Sequence, residues 1–593
     1  MMIQEKLTGY PSIDKPWLKY YSEEAVRAEI PAKSLYRNIF DHNENNKNGI
    51  ALQYFHAKIS YQTLFGRVEE CAKALLAAGI NCGDCFVVCS PGIPETVALI
   101  LAASKIGAVA NMLNPTFQTE QMIDRINETD AKLLFVMDKM YSFVREAIDK
   151  TCIEMVVIIP AAASLSAPMR FLSAMKTDKL LKDTIHGNDK YNLWSDFLRI
   201  GKEHIGETEA DYAKDRPVVM VYSSGTTGAS KGILLTNDSM NASIIQYETA
   251  PFQYQEGNSF LHLIPVWFST GMVISLFMPM CLGISTILIP SCNADSFKKA
   301  LLKYRPNYAL AVGGLWISVI DDPAMGKLDL SNMIYPITGG EYILPKAEKA
   351  LNDFFAAHGC KNPLVKGYGM CELGATATTS FDGMDCAGAV GAPLPKVTVS
   401  VFDTETEMEL QYGQRGELRI DTPCRMKEYF HNPDATAAFF RQDSIGRTWG
   451  CTRDIGYVDE NGYVYILGRA TDFYMAPDGN KYYLFDTKNV ILQNIHVKFC
   501  EVVPMAIHGV NRLVAHVVLE SDIQPDEYQN VINKIQELCS LDLPMYAVPY
   551  AYKIRESFPT SANSNKKDIS ALAQDFSDWI VAGSSDNDRN LFA

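Results

Sequence analysis

The 593-residue sequence has no apolar run approaching the roughly 18 residues that cross a bilayer. Nor does it start with a basic segment followed by an apolar core and a small-residue cleavage site. A soluble, cytoplasmic protein with no transmembrane segment is the expectation. Positive charge is in short supply: 54 Lys and Arg stand against 69 Asp and Glu, a formal net charge of -15. That balance opposes broad binding to nucleic acid or anionic lipid, so no nucleic-acid partner is expected and any phosphate site must be local. A second cysteine pair is missing too. Cys82 and Cys85 in "NCGDCF" suggest metal or redox chemistry, but no further pair follows at zinc-like spacing, and the stretch reads as a turn. The fourteen cysteines are scattered singly along a long chain, the pattern of reduced thiols and not of a secreted disulfide framework. Repeats and low-complexity tracts are absent. What remains is a chain 47% apolar, enough for large buried cores and more than one domain.

From Ile59 to Pro115 helix-like and strand-like text alternates. "SYQTLFGRVEECAKALLAAGI" has apolar residues at helical spacing, "CFVVCS" is a short apolar run, and "ETVALILAASKIGAVANMLNP" reads as helix again before a turn. With "AKLLFVMD" and "EMVVIIP" the alternation predicts an α/β fold: a mostly parallel sheet covered on both faces, with ligands beyond the carboxyl ends of its strands. A second α/β region runs from "MVISLFMPMCLGISTILIP" to "LVKGYGM", and a β-rich meander occupies roughly 385 to 468. After "LGRATD" the text changes to short strands and helices, which sets a boundary between residues 1–471 and 472–593. "SLSAPMRFLSAMKTDKLLKD", Ser164 to Asp183, mixes large apolar and basic residues, either as an interfacial amphipathic helix or as a surface insertion packed on its own domain.

One loop carries the chemistry. In "VMVYSSGTTGASKGILLTNDS", Val219 to Ser239, glycines, hydroxyls and Lys231 follow an apolar run, at the point where a strand should end. Glycine lets backbone amides approach an anion, hydroxyls add donors, and lysine adds charge, as a triphosphate clamp requires. The spacing is not the G-x-x-x-x-G-K-[ST] of P-loop enzymes, because Gly225 and Gly228 are too close and Gly232 follows Lys231.

"YSSGTTGASKG" resembles the phosphate-loop signature of the adenylate-forming superfamily, which includes acyl-CoA synthetases, luciferases and the adenylation domains of peptide synthetases. The resemblance extends in order from about Ile59 to Leu572, through "NPTF", "PVWFSTG", "TGGE", "GYGMCE", "GAVGAPLP", "GELRI", "TRDIGYVDENGYVYILGRATD" and "FPTSANSNKKD". It implies that family's fold: a large N-terminal domain of α/β sheets with a β-rich subdomain, and a small mobile α+β C-terminal domain. It also implies ATP-dependent activation of a carboxylic acid to an acyl-adenylate with release of pyrophosphate, then transfer to a thiol.

By that resemblance Ser223, Ser224, Gly225, Thr226, Thr227, Gly228 and Lys231 hold the β- and γ-phosphates, with Thr226 placed in the catalytic group. Glu372 helps hold Mg²⁺, for which hard oxygen ligands are suited. Gly340, Glu341, Gly367, Tyr368, Gly369, Met370 and Cys371 surround the nucleotide, Tyr368 stacking on adenine, and Gly339 lies on the acyl side. Asp454 takes the ribose hydroxyls and Arg469 backs it. Lys566, on the small domain, bridges the attacking carboxylate and the α-phosphate, with Lys567 as the alternative because the preceding loop is one residue long for the family. Asp472 falls at the hinge.

Several positions depart from the family pattern. Cys371 replaces a Thr, Arg453 the middle Gly of T-G-D, and Asn565 the Gly before the lysine. Amino-acid-activating relatives carry an Asp in F-D-x-S; Phe268, Ser269, Thr270 and Gly271 supply none, and burying an unpaired ammonium is costly. Trp267, Phe268, Met272 and Val273 instead suggest a fatty or aromatic acid, and hence a part in fatty acid metabolism. No carrier domain is appended, so CoA is the expected acceptor. A carrier protein is the alternative acceptor, and a catalytically decayed nucleotide-binding member is the alternative to an enzyme.

Overall fold

The computed structural model describes residues 7–170, 188–223, 230–381, 383–384, 386–476, 479–507, 509–521, 523–559, 568–575 and 577–582. The chain divides into two compact units, Met1–Thr452 with Tyr457–Tyr465, and Arg453–Gly456 with Ile466–Ala593. Residues 466–471 therefore go with the small unit, as do Asp454 and Arg469.

Two sheets dominate the large unit. The seven-stranded sheet runs in the order Tyr191–Leu193, Met155–Ile159, Leu133–Met137, Cys85–Cys89, Val109–Met112, Pro217–Tyr222 and Gly232–Thr236. Neighbours are parallel except the last pair, which is antiparallel. Its interior strand Leu133–Met137 is buried at every residue, as expected where helices cover both faces of a parallel sheet. The nine-stranded sheet has a parallel centre, in which Ser259–His262, Tyr308–Ala311, Tyr335–Gly339 and Val365–Tyr368 lie side by side. The meander expected near 385–468 is a five-stranded sheet of Thr398–Phe402, Gly416–Asp421, Phe440–Gln442, Thr448–Val458 and Val464–Arg469. The small unit holds the antiparallel pair Val497–Ile507 and Val510–Leu519, with Ala551–Ile554 parallel to the second strand. Helices Leu484–Ile491 and Tyr528–Asp542 pack with it around a core that includes Ile491, Val517 and Ile535.

The amphipathic stretch after Ile59 is the helix Tyr61–Ala77, N-capped by Ser60, whose side chain accepts from the Thr63 amide. The next stretch expected to be helical is corrected by the structure. The helix Pro94–Ile106 ends at Gly107, which takes φ +76°, and "VANM" continues as the strand Val109–Met112. A left-handed glycine cap followed by a buried strand leaves the text apolar on both sides of the break. All thirteen residues of that helix are buried. Cys82 and Cys85 sit in the turn before, and at the start of, the strand Cys85–Cys89, and both thiols are free. Ser164 Oγ donates to Glu95 Oε1 at 2.6 Å, and residues 171–183 of the Ser164–Asp183 stretch lie outside the described residues.

Burial sets an acid limit on stability. His262 is fully enclosed, with Nδ1 2.8 Å from Ser275 Oγ, and desolvation pushes its imidazole down to about 4. The native state then binds fewer protons than the unfolded chain between about pH 4 and the ordinary histidine value near 6.5. This contribution is complete above about pH 6.5 and is lost as pH falls towards 4, roughly 2 kcal/mol of it by pH 5. His42 next to Glu248 is shifted the other way, so the comparison must be made against a variant. Urea unfolding of wild type and His262→Gln at pH 8 and pH 5 should show the smaller pH dependence in the variant; equal dependence contradicts the assignment.

Candidate active site

The phosphate-loop text joins the antiparallel strands Pro217–Tyr222 and Gly232–Thr236, whose register pairs Tyr222 with Gly232. Ser224, Gly225, Thr226, Thr227 and Gly228 lie outside the described residues. The neck is closed by two hydrogen bonds: the Ser223 amide donates to the Lys231 carbonyl at 3.0 Å, and the Lys231 amide to Ser223 Oγ at 3.0 Å. Lys231 stands at one end of this neck.

Tyr429 ties this neck to the acidic residue of the second sheet. Its backbone bridges to Ile233, the Lys231 Nζ lies 5.5 Å from its ring centroid, and its hydroxyl donates to Glu372 Oε1 at 2.9 Å. Lysine over an aromatic face at this separation is an attractive contact. Glu372 is buried in the short turn Cys371–Leu373, where its carbonyl accepts from the Met426 amide at 2.8 Å. Lys231, Tyr429 and Glu372 thus form one connected set, and no motif around Tyr429 marks it in the sequence.

Beside Glu372 the strands Tyr335–Gly339 and Val365–Tyr368 end together, with Gly339 opposite Gly367. A Cβ on Gly339 would stand 2.9 Å from the Gly367 carbonyl oxygen, and one on Gly369 would stand 2.0 Å from the Ala375 oxygen. Backbone packs so closely here that side chains are excluded. Tyr368 pairs with Thr378, and its carbonyl accepts from the Ala377 amide at 2.8 Å. Glu341 Oε2 accepts from the Gly314 amide at 3.4 Å, while Gly340 takes φ +82°. Met370 and Cys371 are half-buried at the start of the Glu372 turn.

A cavity of about 40 Å³ opens at these strand ends and takes in Gly339, Gly340, Gly367 and Gly369. The "FSTG" segment contributes Thr270, and Ile274 joins it from the single π-helical turn Val273–Phe277. Such turns rotate the side chains that follow them and recur at functional sites. Trp267 and Met272 are buried elsewhere and Phe268 is 36% exposed, so none of the three lines this cavity. Tyr247 and Tyr254, not singled out from the sequence, do line it.

In the small unit Arg469 Nη1 pairs with Asp454 Oδ1 at 3.0 Å. Asp454 is buried and Arg469 is about half exposed. Arg453 keeps the backbone a glycine would take, φ +59°, and its carbonyl accepts from the Ala470 amide at 2.8 Å. Departure from the family glycine has left the bend in place, at a cost of roughly 1–2 kcal/mol for an L-residue there. Arg453→Gly removes this cost but adds chain entropy to the unfolded state, worth roughly 0.5–1 kcal/mol. A small net gain in stability follows, read as a higher unfolding midpoint; a lower midpoint contradicts it.

Asp472 continues from this pair: its amide donates to the Arg469 carbonyl at 3.1 Å and its carbonyl accepts from the Leu484 amide at 2.9 Å. Lys566 and Lys567 lie outside the described residues. The ends of their loop are held together, the Asp568 amide donating to the Pro559 carbonyl at 2.8 Å, and Asp568 caps the helix Ile569–Ala573.

The family model described as "AMP-binding enzyme" matches residues 39–430, which is most of the large unit and more than half of the chain. This chain belongs to the AMP-binding enzyme family. Members with curated descriptions include a long-chain-fatty-acid–CoA ligase of Bacillus subtilis (strain 168), 23% identical over 554 residues and covering 92% of this chain and 96% of that one. A probable 4-coumarate–CoA ligase 3 of Dictyostelium discoideum is 23% identical over 470 residues, 76% of this chain and 80% of its own. Among solved structures, the anthranilate CoA ligase AuaEII in complex with anthranoyl-AMP superposes with a TM-score of 0.76 at 18% identity, covering 92% of this chain and 98% of that one. ATP-bound MatB from Rhodopseudomonas palustris gives 0.74 at 22% identity, with 91% and 98% covered. At these identities the superpositions establish the adenylate-forming fold. Among the described residues of this AMP-binding enzyme, no helix is long and apolar enough to cross a membrane, and no group of three or more His, Cys, Asp or Glu could hold a metal ion.

Proposed function

We propose that the chain joins a carboxylic acid to ATP, giving an acyl-adenylate and pyrophosphate, and then passes the acyl group to CoA with release of AMP. The observation that carries this reading is the connected set Lys231, Tyr429 and Glu372 at the stem of the phosphate loop, next to the glycine-edged cavity. A carboxylate must approach an anionic phosphate, so fixed positive charge and positioning supply most of the acceleration. Ser223, the loop residues 224–228 and Lys231 would hold the β- and γ-phosphates, Tyr368 the adenine, and Asp454 with Arg469 the ribose. Lys566 would bring its ammonium to the attacking carboxylate and the α-phosphate, and Asp472 would serve as the hinge on which the small domain moves between half-reactions.

Mg²⁺ suits this site as a partner of the substrate. One buried carboxylate, Glu372, is the donor set expected when the remaining ligands are phosphate oxygens and water, and the ion would offset the charge of those phosphates. The Tyr429 hydroxyl holds that carboxylate through one oxygen and so fixes its direction.

The names of the relatives, CoA ligases for fatty and coumaric acids, support CoA as the acceptor. None of the fourteen cysteines is in a disulfide, which supports work in a reducing, cytoplasmic compartment. Acid-dependent thioester formation with CoA, compared with a holo-carrier protein under the same conditions, tests the acceptor: CoA thioester is expected, and product on the carrier alone would reassign it.

A further inference from the structure

In the small unit, an ion cluster joins the two arms of chain that flank residues 560–567, among them Lys566 and Lys567. The incoming arm is the strand Ala551–Ile554 with Arg555, and the outgoing arm is Asp568, the helix Ile569–Ala573 and Asp575. Three sets of contacts hold the arms together. Nearest the loop, the Asp568 amide donates to the Pro559 carbonyl at 2.8 Å. Farthest from it, Tyr552 and Ile580 exchange both backbone hydrogen bonds, at 2.8 and 2.7 Å. Between these lies Asp575: Lys553 Nζ donates to both of its carboxylate oxygens at 2.7 Å, and Arg555 Nη2 donates to Oδ2. All three side chains are mostly enclosed, where salt screens a charge pair little.

The cluster fixes direction as well as distance. Arg555 divides its guanidinium, Nε donating to His516 Nδ1 at 2.9 Å while Nη2 goes to Asp575. His516 is buried on the strand beside Lys553, and desolvation, with Arg555 and Lys553 adding to it, pushes its imidazole down to about 4, so it remains a neutral acceptor. Burial alone would raise the Asp575 carboxyl, but hydrogen bonds from Lys553, Ser577 and Arg555 hold it well below the usual carboxylate range. The Trp579 indole donates to the Asp575 carbonyl at 3.2 Å, and Leu572, in the helix between loop and cluster, shares a core with Trp579, Val514 and Ala551. That helix is five residues long, so a shift at Asp575 is passed directly to Asp568 at the end of the loop. We propose that Asp575, held by Lys553 and Arg555, is a positioning residue for adenylation: it sets the outgoing arm against the incoming one and so places the loop's ammonium. The inference rests on the reading above in which a lysine of that loop serves the first half-reaction.

The test is a double-mutant cycle on the full chain, run with whichever of palmitate, hexanoate, benzoate and 4-coumarate wild type activates fastest, and with the adenylate of that acid. Asp575→Asn keeps the shape of the side chain and removes its charge. Acid-dependent pyrophosphate release should fall about tenfold to a hundredfold in kcat, the scale of a misplaced catalytic group, with KM for ATP unchanged. Thioester formation from the supplied adenylate should stay close to wild type. In the background of Lys566→Ala, or of Lys567→Ala if that variant carries the loss, Asp575→Asn should lower adenylation no further, because its effect passes through the lysine. Lys553→Gln, which leaves Arg555 on Asp575, gives the same readouts if Asp575→Asn folds poorly. A further loss in the lysine variant, equal loss in both half-reactions, or no loss at all overturns the inference, and acid activation stands. If neither lysine variant lowers adenylation, the role given to the loop fails and the inference falls with it. Pyrophosphate release with none of the acids, in a folded protein that binds ATP, contradicts the activating reading and this inference with it.

Discussion

Lys566→Ala lowers acyl-adenylate formation roughly a hundredfold to a thousandfold, the usual cost, about 2.7 to 4 kcal/mol, of removing one preorganised charge contact from a transition state. Thioester formation from supplied acyl-adenylate stays largely intact. On the proposed mechanism the small domain would present this lysine in only one of two conformations, so that its charge would serve the first transition state and not the second. The loop that bears it is held at its base by the Asp568 amide on the Pro559 carbonyl, and Asp568 caps the following helix, so a side-chain truncation leaves its supports untouched. Lys567→Ala has a much smaller effect. Measuring both half-reactions in both variants settles the register of the loop: exchanged phenotypes move the role to Lys567, and equal loss of both half-reactions in Lys566→Ala removes the two-conformation account.

Glu372→Gln is the second large effect. The amide keeps the shape of the side chain and an oxygen that can accept the Tyr429 hydroxyl, so the fold around the turn Cys371–Leu373 is retained. Only the charge goes. A neutral amide is a poor ligand for a hard divalent ion, and adenylation should fall on the order of a hundredfold with a shift to higher Mg²⁺ demand. Tyr429→Phe keeps the carboxylate but frees it from its hydroxyl anchor, and costs about tenfold, the worth of one hydrogen bond to a charged group. Initial rates across a Mg²⁺ titration distinguish the two: a Glu372→Gln curve that overlies wild type excludes the metal role.

The loop between Tyr222 and Gly232 was legible as a candidate because its signal is local: glycine, hydroxyl and lysine stand within a dozen residues of one another after an apolar strand. The helix Tyr61–Ala77 and the strand Cys85–Cys89 were legible for the same reason, through their periodicity and length. The break at Gly107 was not, because a helix buried on every face and a buried strand are written in the same apolar alphabet. Tyr429 stayed hidden because its meaning lies in a carboxylate 57 positions away. At the cavity beside the strand ends, the residues that stand out in the sequence are not the ones that line it. "WFSTGM" invites attention to its large apolar residues, whereas the fold sends Trp267 and Met272 into the core and gives Thr270 to the cavity.

The central claim is that the chain activates a carboxylic acid by adenylation, and isotope exchange between labelled pyrophosphate and ATP tests it without any thiol acceptor. Exchange should require an acid together with ATP and Mg²⁺, proceed without CoA, and leave AMP as the nucleotide released when CoA is then supplied. Exchange that ignores the acid, or turnover that yields ADP and inorganic phosphate, would contradict the account.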